Sequence, residues 1–440
     1  MKLTLQQITG HNNQESCWVA IHGAVYDVTE FLDSHPGGAT VILRCAGKDA
    51  TEDFDSVHSP ELLSEALPET ALQGYIDSAE LDKLKDTPNT VNEKQPKSVD
   101  DSPPSLQSLI NLQDFEKVAH QSLRATTWAY YSSGADDELS KRNNALAYQK
   151  ISLRPRILRN IPTMNTTTAI LGYSTSLPVY ISPVGLAKLA HSEGECALAA
   201  AAGKEGLVQV LANGSSMTIE QVMRSRASPN QPIFQQLYVN KDIRKSIETV
   251  RRAERAGASA IWITVDSPVV GKREMDERLN LAVTATDHTE EGKGVAKIVA
   301  SSISPFIDWE ILTWLRQLTD LPVVIKGIQC VEDAVLAYQH GVQGIVLSNH
   351  GGRSQDTAQS PLLTLLEIRK FAPHLIEGAT AVGLGRPFLF SLSGYGEKGV
   401  RRMIEILRQE IETNMVFLGV TSLDQLTPEM CPYKTSFAGI

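Results

Sequence analysis

Two histidine-centred patterns in this chain could carry chemistry. His350 stands in the run Leu347-Ser-Asn-His-Gly-Gly-Arg353, and His35 opens His-Pro-Gly-Gly at 35–38. An imidazole in a glycine-rich turn can approach a substrate and take a proton near neutral pH. Arg353, just beyond it, offers the planar fork that binds a carboxylate. The His35 run has the pattern of a histidine offered to a haem iron, a group that could carry electrons away. The pairing points to substrate oxidation coupled to electron export.

The elements that must position these groups follow from the rhythm of the chain. From Leu177 onward, short apolar runs alternate with stretches of helical spacing. The runs begin at Pro178, Leu207, Ile233, Ala260, Pro322, Gly344 and Ala379, and the helical stretches include Lys188–Lys204, Asp242–Ala256 and Val331–His340. Repeated βα units of this kind predict an α/β fold of TIM type, with chemistry at the C-terminal ends of the strands. Gln236, Tyr238, Thr264, Asp266, Lys326 and His350 fall at those ends. Seven strand candidates are present, whereas a closed (β/α)8 barrel needs eight, so the barrel is expected to lack one βα unit. The segment 284–294 is polar and reads as a loop or lid rather than a hidden strand.

Composition sets the frame. The chain has 440 residues, 42% hydrophobic and 21% charged, with a formal charge of -10. That acidity disfavours nucleic acid and anionic membrane and suits a basic protein partner. No run is long and apolar enough to cross a membrane. The N-terminal residues show neither an apolar signal core nor an Arg-rich leader, which predicts a cytoplasmic location. Five scattered cysteines without Cys-x-x-Cys spacing argue against a disulfide scaffold or a zinc site. Residues 81–106, rich in Pro, Ser, Asp and Lys, predict a flexible linker between a small module at 1–80 and a larger one at 107–440.

At this point an ordered set of motifs carries a family resemblance. It comprises His35-Pro-Gly-Gly38 with Asp53-Phe54 and His58, then Tyr130-Tyr131-Ser-Ser-Gly-Ala135, Gln236-Leu-Tyr238, Thr264-Val-Asp266, Lys326-Gly327, Ser348-Asn-His-Gly-Gly-Arg353 and Gly383-Leu-Gly-Arg-Pro387. Residues 1–80 resemble a small α+β cytochrome b5-like domain. Residues 107–440 resemble the FMN-dependent L-2-hydroxy acid dehydrogenases, and the order of the two modules is that of the flavocytochrome b2 family. The resemblance implies FMN and haem b as cofactors, iron ligation by His35 and His58, a cytochrome c-like electron acceptor and a homotetramer. It also names the mitochondrial intermembrane space as the alternative to a cytoplasmic location.

Roles for the barrel residues follow from their chemistry and from the resemblance. His350 reads as the general base; whether it takes the proton from carbon or from hydroxyl stays open. Asp266 would orient its imidazole, or else serve as a strand-end cap. Arg353 would bind the substrate carboxylate with Tyr130 as second donor, and Tyr238 would contact the substrate hydroxyl. Arg273 would add positive charge near the substrate, or stand as a surface arginine. Lys326 would sit beside the flavin's anionic edge, a place the resemblance gives it. Ser182, Gln236, Thr264, Gly385 and Arg386 are the remaining flavin contacts it implies.

Departures from the family pattern concentrate at the flavin. Pro183-Val-Gly185 stands where the family reads Pro-Thr-Ala or similar, and Ala212-Asn213 where a hydroxyl residue is usual. After the helix at 362–371, His374-Leu-Ile-Glu-Gly-Ala379 runs straight into the last strand. The family has there an extra strand ending in Asp-Gly-Gly, an Arg-Gly turn and a helix. Their loss removes contacts to the FMN phosphate and ribityl chain. Two functional readings therefore stand. In one, FMN oxidises L-lactate or a related L-2-hydroxy acid and electrons pass through haem b to a cytochrome. In the other, a b5-type electron carrier is joined to a catalytically impaired barrel lacking part of the FMN phosphate site.

Overall fold

The computed structural model describes residues 2–35, 39–58, 61–76, 103–284, 295–375 and 378–432. The turn glycines Gly37 and Gly38, most of the expected linker and most of the expected lid lie outside the described residues. Two compact units divide the chain, residues 1–102 with 277–302, and residues 103–276 with 303–440.

In the first unit five short strands form a mixed sheet. They are β1 (Lys2–Leu3), β2 (Asn12–Asn13), β3 (Ser16–Ile21), β4 (Ala24–Asp27) and β5 (Leu72–Ile76), in the spatial order β1-β5-β4-β3-β2. Strands β3 and β4 are joined by His22-Gly23, both at positive φ (53° and 76°), the two-residue turn whose twist matches a right-handed hairpin. Cys17, Val19, Ile21, Val28 and Leu32 build a small core, and Phe31, Ile42, Leu43, Phe54, Leu63 and Leu67 pack half-buried against it. His35 follows a turn of 3-10 helix at Leu32–Ser34, and His58 ends the helix Thr51–Val57.

The second unit is a curled, all-parallel sheet of seven strands. Its strands are β8 (Val179–Ile181), β9 (Val208–Leu211), β10 (Ile233–Leu237), β11 (Ala260–Thr264), β12 (Val323–Ile328), β13 (Gly344–Leu347) and β14 (Val382–Leu384), after a hairpin of β6 (Thr168–Ile170) and β7 (Tyr173–Thr175). Strands β9, β10 and β11 are buried at every residue, as a sheet covered on both faces requires. Local signals set the helices between them. Asp242 caps the helix Ile243–Ala256 and Gly257, at φ 88°, ends it. Thr218 and Gln221 form a capping box on Ile219–Arg224, and Ser360 caps Pro361–Phe371.

Inside the curl, Tyr180, Val208, Val210, Phe234, Ala260, Trp262 and Val324 pack in a layer, with Ile170 and Leu171 of the hairpin against it. Outside, Leu211, Ile233, Ile261, Ile263 and Val323 meet helix residues such as Val222, Val250, Leu312 and Leu315.

The spatial order β13-β12-β11-β10-β9-β8-β14 locates the deficit. Strand β14 pairs with β8, as the last and first strands of a closed barrel do, while among the described residues β13 pairs on one side only, with β12. The sheet therefore stays open between β13 and β14, the place of the absent unit. Between Pro268 and Trp309 the described residues form helices and turns and supply no strand.

Candidate active site

The catalytic candidates converge at the C-terminal ends of β11, β12 and β13. His350 Nδ1 lies 2.7 Å from Asp266 Oδ1, and the Asp266 side chain is fully buried. Lys326 Nζ donates to Asp266 Oδ2 at 2.8 Å, and Ser348 Oγ donates to the same oxygen at 2.7 Å. Ser348 Oγ in turn accepts the His350 backbone N–H at 3.0 Å. Register accounts for part of this convergence, because Thr264 and Lys326 are paired across β11 and β12. A bulge follows at Gly327, whose φ is 122°; an added Cβ there would come within 2.6 Å of the Asp266 backbone nitrogen. Only glycine lets the two strand ends approach so closely.

Charge within this cluster is divided by burial and pairing. Burial alone would raise the Asp266 carboxyl, but Lys326 and His350 outweigh it and hold the group well below the usual carboxylate range. Burial, with help from Lys326 and Arg273, pulls His350 below its ordinary value against the opposing field of Asp266. The imidazole is therefore neutral near pH 7 and available as a base. Its Nε2 lies 3.4 Å from Tyr238 Oη, whose own pKa is raised by burial and by Asp266. A reacting hydroxyl or carbon–hydrogen bond placed between Tyr238 and His350 would meet one proton acceptor and one donor.

His350 is held in the left-handed region, at φ 57°, followed by Gly351 at 64° and Gly352 at 71°. This turn is a built device, and its glycines are what permit it. Asn349 secures it through a reciprocal amide pair with Asn144, 2.8 Å in each direction, and by accepting from Gly352 N. The Ser348–Asp266 bridge and the Asn349–Asn144 clamp were not read as functional. Their signal lay in the Ser-Asn preceding His350, but the partners are more than eighty residues away in sequence.

Three guanidinium groups gather beside the turn. Arg353 donates through Nη1 to Tyr131 O at 2.7 Å and Ser133 O at 3.0 Å, and through Nη2 to Tyr130 O at 2.7 Å. Its carbon lies 5.6 Å from the centre of the Tyr130 ring. Arg273 is buried, at 8% exposure, and its Nε approaches Arg353 O at 3.4 Å. It is thus not the surface arginine of the alternative reading. Burial and the neighbouring Arg273 and Arg386 push Arg353 well down, and burial with Arg273 pushes Arg386 down to about 10. A buried cluster of like charges favours an anionic ligand.

For the flavin, the structure divides into an end that fits and an end that does not. Gln236 Nε2 and Thr264 Oγ1 are buried without a hydrogen-bond partner among the described residues, at the two strand ends where ring contacts are expected. Gln236 Oε1 is occupied by Asn213 N at 2.7 Å, which fixes the amide with its nitrogen outward. Ser182 pairs through its backbone with Leu384 O at 2.9 Å, and Lys326 stands nearby on β12. These residues would hold the ring of FMN, which supplies the two-electron acceptor. At the phosphate end, Arg386 donates to Gly351 O, Tyr131 O and Ser133 O at 3.0–3.3 Å. It shares the Tyr131 and Ser133 carbonyls with Arg353, so the two guanidinium groups stand side by side at this end of the sheet.

In the first unit, the ring centres of His35 and His58 lie 5.9 Å apart at 69° to each other. That spacing suits one metal atom bonded to both at about 2.0–2.1 Å, the usual imidazole–metal distance. Phe31 packs against His35 with ring centres 5.8 Å apart, and Phe54 against His58 at 4.9 Å. Replacing His58 by Ala is expected to abolish the low-spin two-histidine haem spectrum of the purified protein. An unchanged Soret band and α/β bands would refute His58 as a ligand.

An open parallel barrel with a buried carboxylate behind a histidine, a buried arginine cluster and unpartnered polar atoms at two strand ends is the arrangement expected of an FMN-dependent oxidoreductase of hydroxy acids. Comparison with known proteins agrees. The family model for FMN-dependent dehydrogenases matches residues 119–377 and 374–432, in two pieces that meet where the unit is missing. The model for the cytochrome b5-like heme/steroid binding domain matches residues 4–77. L-lactate dehydrogenase (cytochrome) of Wickerhamomyces anomalus is 37% identical over 460 residues, covering 98% of this chain and 80% of that protein. The Saccharomyces cerevisiae protein of the same name is 36% identical, covering 99% and 80%. The solved flavin-binding domain of baker's yeast flavocytochrome b2 superposes with a TM-score of 0.70 at 36% identity, covering 77% of this chain and 90% of that one. The chain belongs to the flavocytochrome b2 family, the fusion of a cytochrome b5-like haem domain with an FMN-dependent L-2-hydroxy acid dehydrogenase.

These relatives correct one expectation. The two relatives above that span nearly all of this chain are cytochrome-linked L-lactate dehydrogenases, which favours the mitochondrial location over the cytoplasmic one read from the N-terminal residues.

Proposed function

We propose that this chain is a haem-linked L-2-hydroxy acid dehydrogenase whose proton-transfer residues are in place and whose grip on the FMN phosphate is impaired. The observation that carries the first half is the buried Asp266–His350 pair at 2.7 Å, with Tyr238 on the far side of the imidazole. The observation that carries the second is the sheet left open, among the described residues, between β13 and β14, where the strand and turn expected to supply phosphate contacts have no counterpart. The impaired-barrel reading has the stronger support of the two.

In this reading the substrate is L-lactate or a related L-2-hydroxy acid. Arg353 and Tyr130 hold its carboxylate, Arg273 adds positive charge, and Tyr238 contacts the hydroxyl. His350 takes the proton, and Asp266 orients the ring and stabilises its protonated form. Ser182, Gln236, Thr264 and Lys326 face the flavin ring, and Gly385 and Arg386 are left as the remnant of its phosphate site. Electrons leave singly through the His35/His58 haem to a cytochrome c-like acceptor, the step that the relatives' names support. The modules are assigned as 1–80 and 107–440, with a linker at 81–106.

The expected result is a protein that retains haem on purification but holds FMN substoichiometrically, with fluorescence titration giving weak FMN binding. A full complement of FMN surviving gel filtration would refute the impaired grip. FMN titration without binding, together with no oxidation of any L-2-hydroxy acid, would leave only the electron-carrier function of the haem domain.

A further inference from the structure

Asn213 is the single asparagine of this chain that is followed by glycine. It stands exposed in the turn after β9, directly beyond the buried Ala212. An asparagine in that setting can lose its amide to its own backbone. The nitrogen of the following residue attacks the side-chain carbonyl carbon, and glycine, having no Cβ, leaves that approach open.

The turn presents each group that this step needs. Tyr238 N donates to Asn213 Oδ1 at 3.4 Å, so an N–H already points at the oxygen on which negative charge develops as the carbon becomes tetrahedral. The Asn213 amide nitrogen, the leaving group, has no acceptor among the described residues. Gly214 N, the nucleophile, donates to no group among the described residues either. The hydrogen bond that holds Gly214 runs instead from Leu186 N to its carbonyl oxygen, at 3.0 Å. Asn349 offers the contrast. It is buried, its amide nitrogen donates to Asn144 and Gln359, and its neighbour is His350.

We propose that Asn213 is a site of spontaneous deamidation whose product loosens the FMN site. Gly214 N bonds to Asn213 Cγ, the Cγ–Nδ2 bond breaks, and Nδ2 leaves as ammonia with the proton that Gly214 N gives up. Water then opens the five-membered imide. Opening at Cγ gives aspartate, and opening at the backbone carbonyl gives isoaspartate, whose main chain runs through the side-chain carbons. One water is consumed, one ammonia is released and no electrons change hands.

The effect on the cofactor follows from two hydrogen bonds that flank the new linkage. Asn213 N donates to Gln236 Oε1 at 2.7 Å and so aims Gln236 Nε2, assigned above to the flavin ring. Leu186 N holds Gly214 O on the other side. Isoaspartate lengthens the main chain between these two anchors by one carbon, and both cannot keep their geometry. This effect rests on the flavin reading of the barrel, whereas the chemistry at Asn213 does not.

The test ages the full-length haem protein at mildly alkaline pH and samples it over days. Peptide mass spectrometry, with enzymatic methyl labelling of isoaspartate, reads the chemistry, and fluorescence titration reads FMN affinity. Asn213 is expected to show the amide-to-acid mass gain ahead of every other asparagine of the folded chain, mostly as isoaspartate, with FMN affinity falling severalfold in step. Gly214→Ala and Asn213→Gln are each expected to lose the mass gain at this position, the second because the ring it would close is larger. Asn213→Gln should also keep its own FMN affinity constant through ageing.

An Asn213 that keeps its amide in the folded protein while the same segment reacts in urea overturns the site. A mass gain that proceeds at the native rate in Gly214→Ala does the same. Deamidation that leaves FMN affinity unmoved overturns the effect on the cofactor. FMN that binds neither fresh nor aged protein removes the flavin reading of the barrel and that effect with it, while the mass gain at Asn213 still decides the site.

Discussion

With His350 replaced by Gln, reduction of the FMN-loaded protein by its hydroxy acid is expected to slow by roughly 10²- to 10⁴-fold, the range a positioned general base contributes. Glutamine keeps a polar side chain in the left-handed turn that Asn349 and Asn144 secure, so the loss reports chemistry rather than folding. Haem reduction by dithionite and FMN affinity should be unchanged. The native enzyme should also show how the base is tuned. Burial lowers the His350 pKa, so the imidazole stays neutral to lower pH than a free histidine. The acid limb of kcat/KM is therefore expected below pH ~6.5, the unperturbed histidine value. Anaerobic stopped-flow absorbance from pH 5 to 8 measures both effects. An acid limb above that value, or a variant that reacts at the native rate, would remove His350 from the reaction.

The second large effect is expected at Asp266. Its Asn variant loses the charge that orients His350 and that answers Lys326, whose side chain is 11% exposed. Exchanging a carboxylate behind a catalytic imidazole for an amide costs roughly 10⁴-fold where the arrangement has been dissected in other enzymes, and a similar loss is expected here. Breaking a buried ion pair by removing one partner also costs about 3–5 kcal/mol, because the remaining charge stays desolvated.

The pH dependence carries a definite sign. Asp266 has a folded pKa depressed below the unfolded value of about 3.9. Its stabilisation is complete above that value and is lost as pH falls through the folded pKa. Urea unfolding should therefore show the native barrel losing stability below pH ~4 more steeply than Asp266→Asn. Equal slopes in that range would mean that the carboxylate is not held ionised by its neighbours.

Much of this arrangement was legible in the sequence, for physical reasons. Barrel strands covered on both faces are short runs of apolar residues, and all seven predicted runs are strands of the sheet. Counting them also showed that one unit is missing, and the departure from the family pattern after the helix at 362–371 gave its place. Polar residues closing such runs cannot point into the core, so Gln236, Thr264, Asp266 and Lys326 were visible as site candidates. Other features depend on contacts that no local pattern encodes. The hairpin β6–β7 packs against the interior layer, yet its strands are three residues each and carry little periodicity. Ser348 and Asn349 act through Asp266 and Asn144, distant in the chain. The hydrogen bonds of Arg386 to the Gly351, Tyr131 and Ser133 carbonyls likewise join segments far apart in the chain. A neighbouring strand and loop decide where such a side chain can point, and that unit is absent here.

The central claim is that proton-transfer chemistry survives while the cofactor grip is weakened. The most direct test is to add L-2-hydroxy acid without oxygen to the purified haem protein, once as isolated and once with excess FMN, and to follow the haem spectrum. Haem reduction that is slight as isolated and restored by FMN is the result expected. Full reduction without added FMN would contradict the weakened grip. Haem that dithionite reduces and the hydroxy acid never does, even with FMN, would contradict the surviving chemistry.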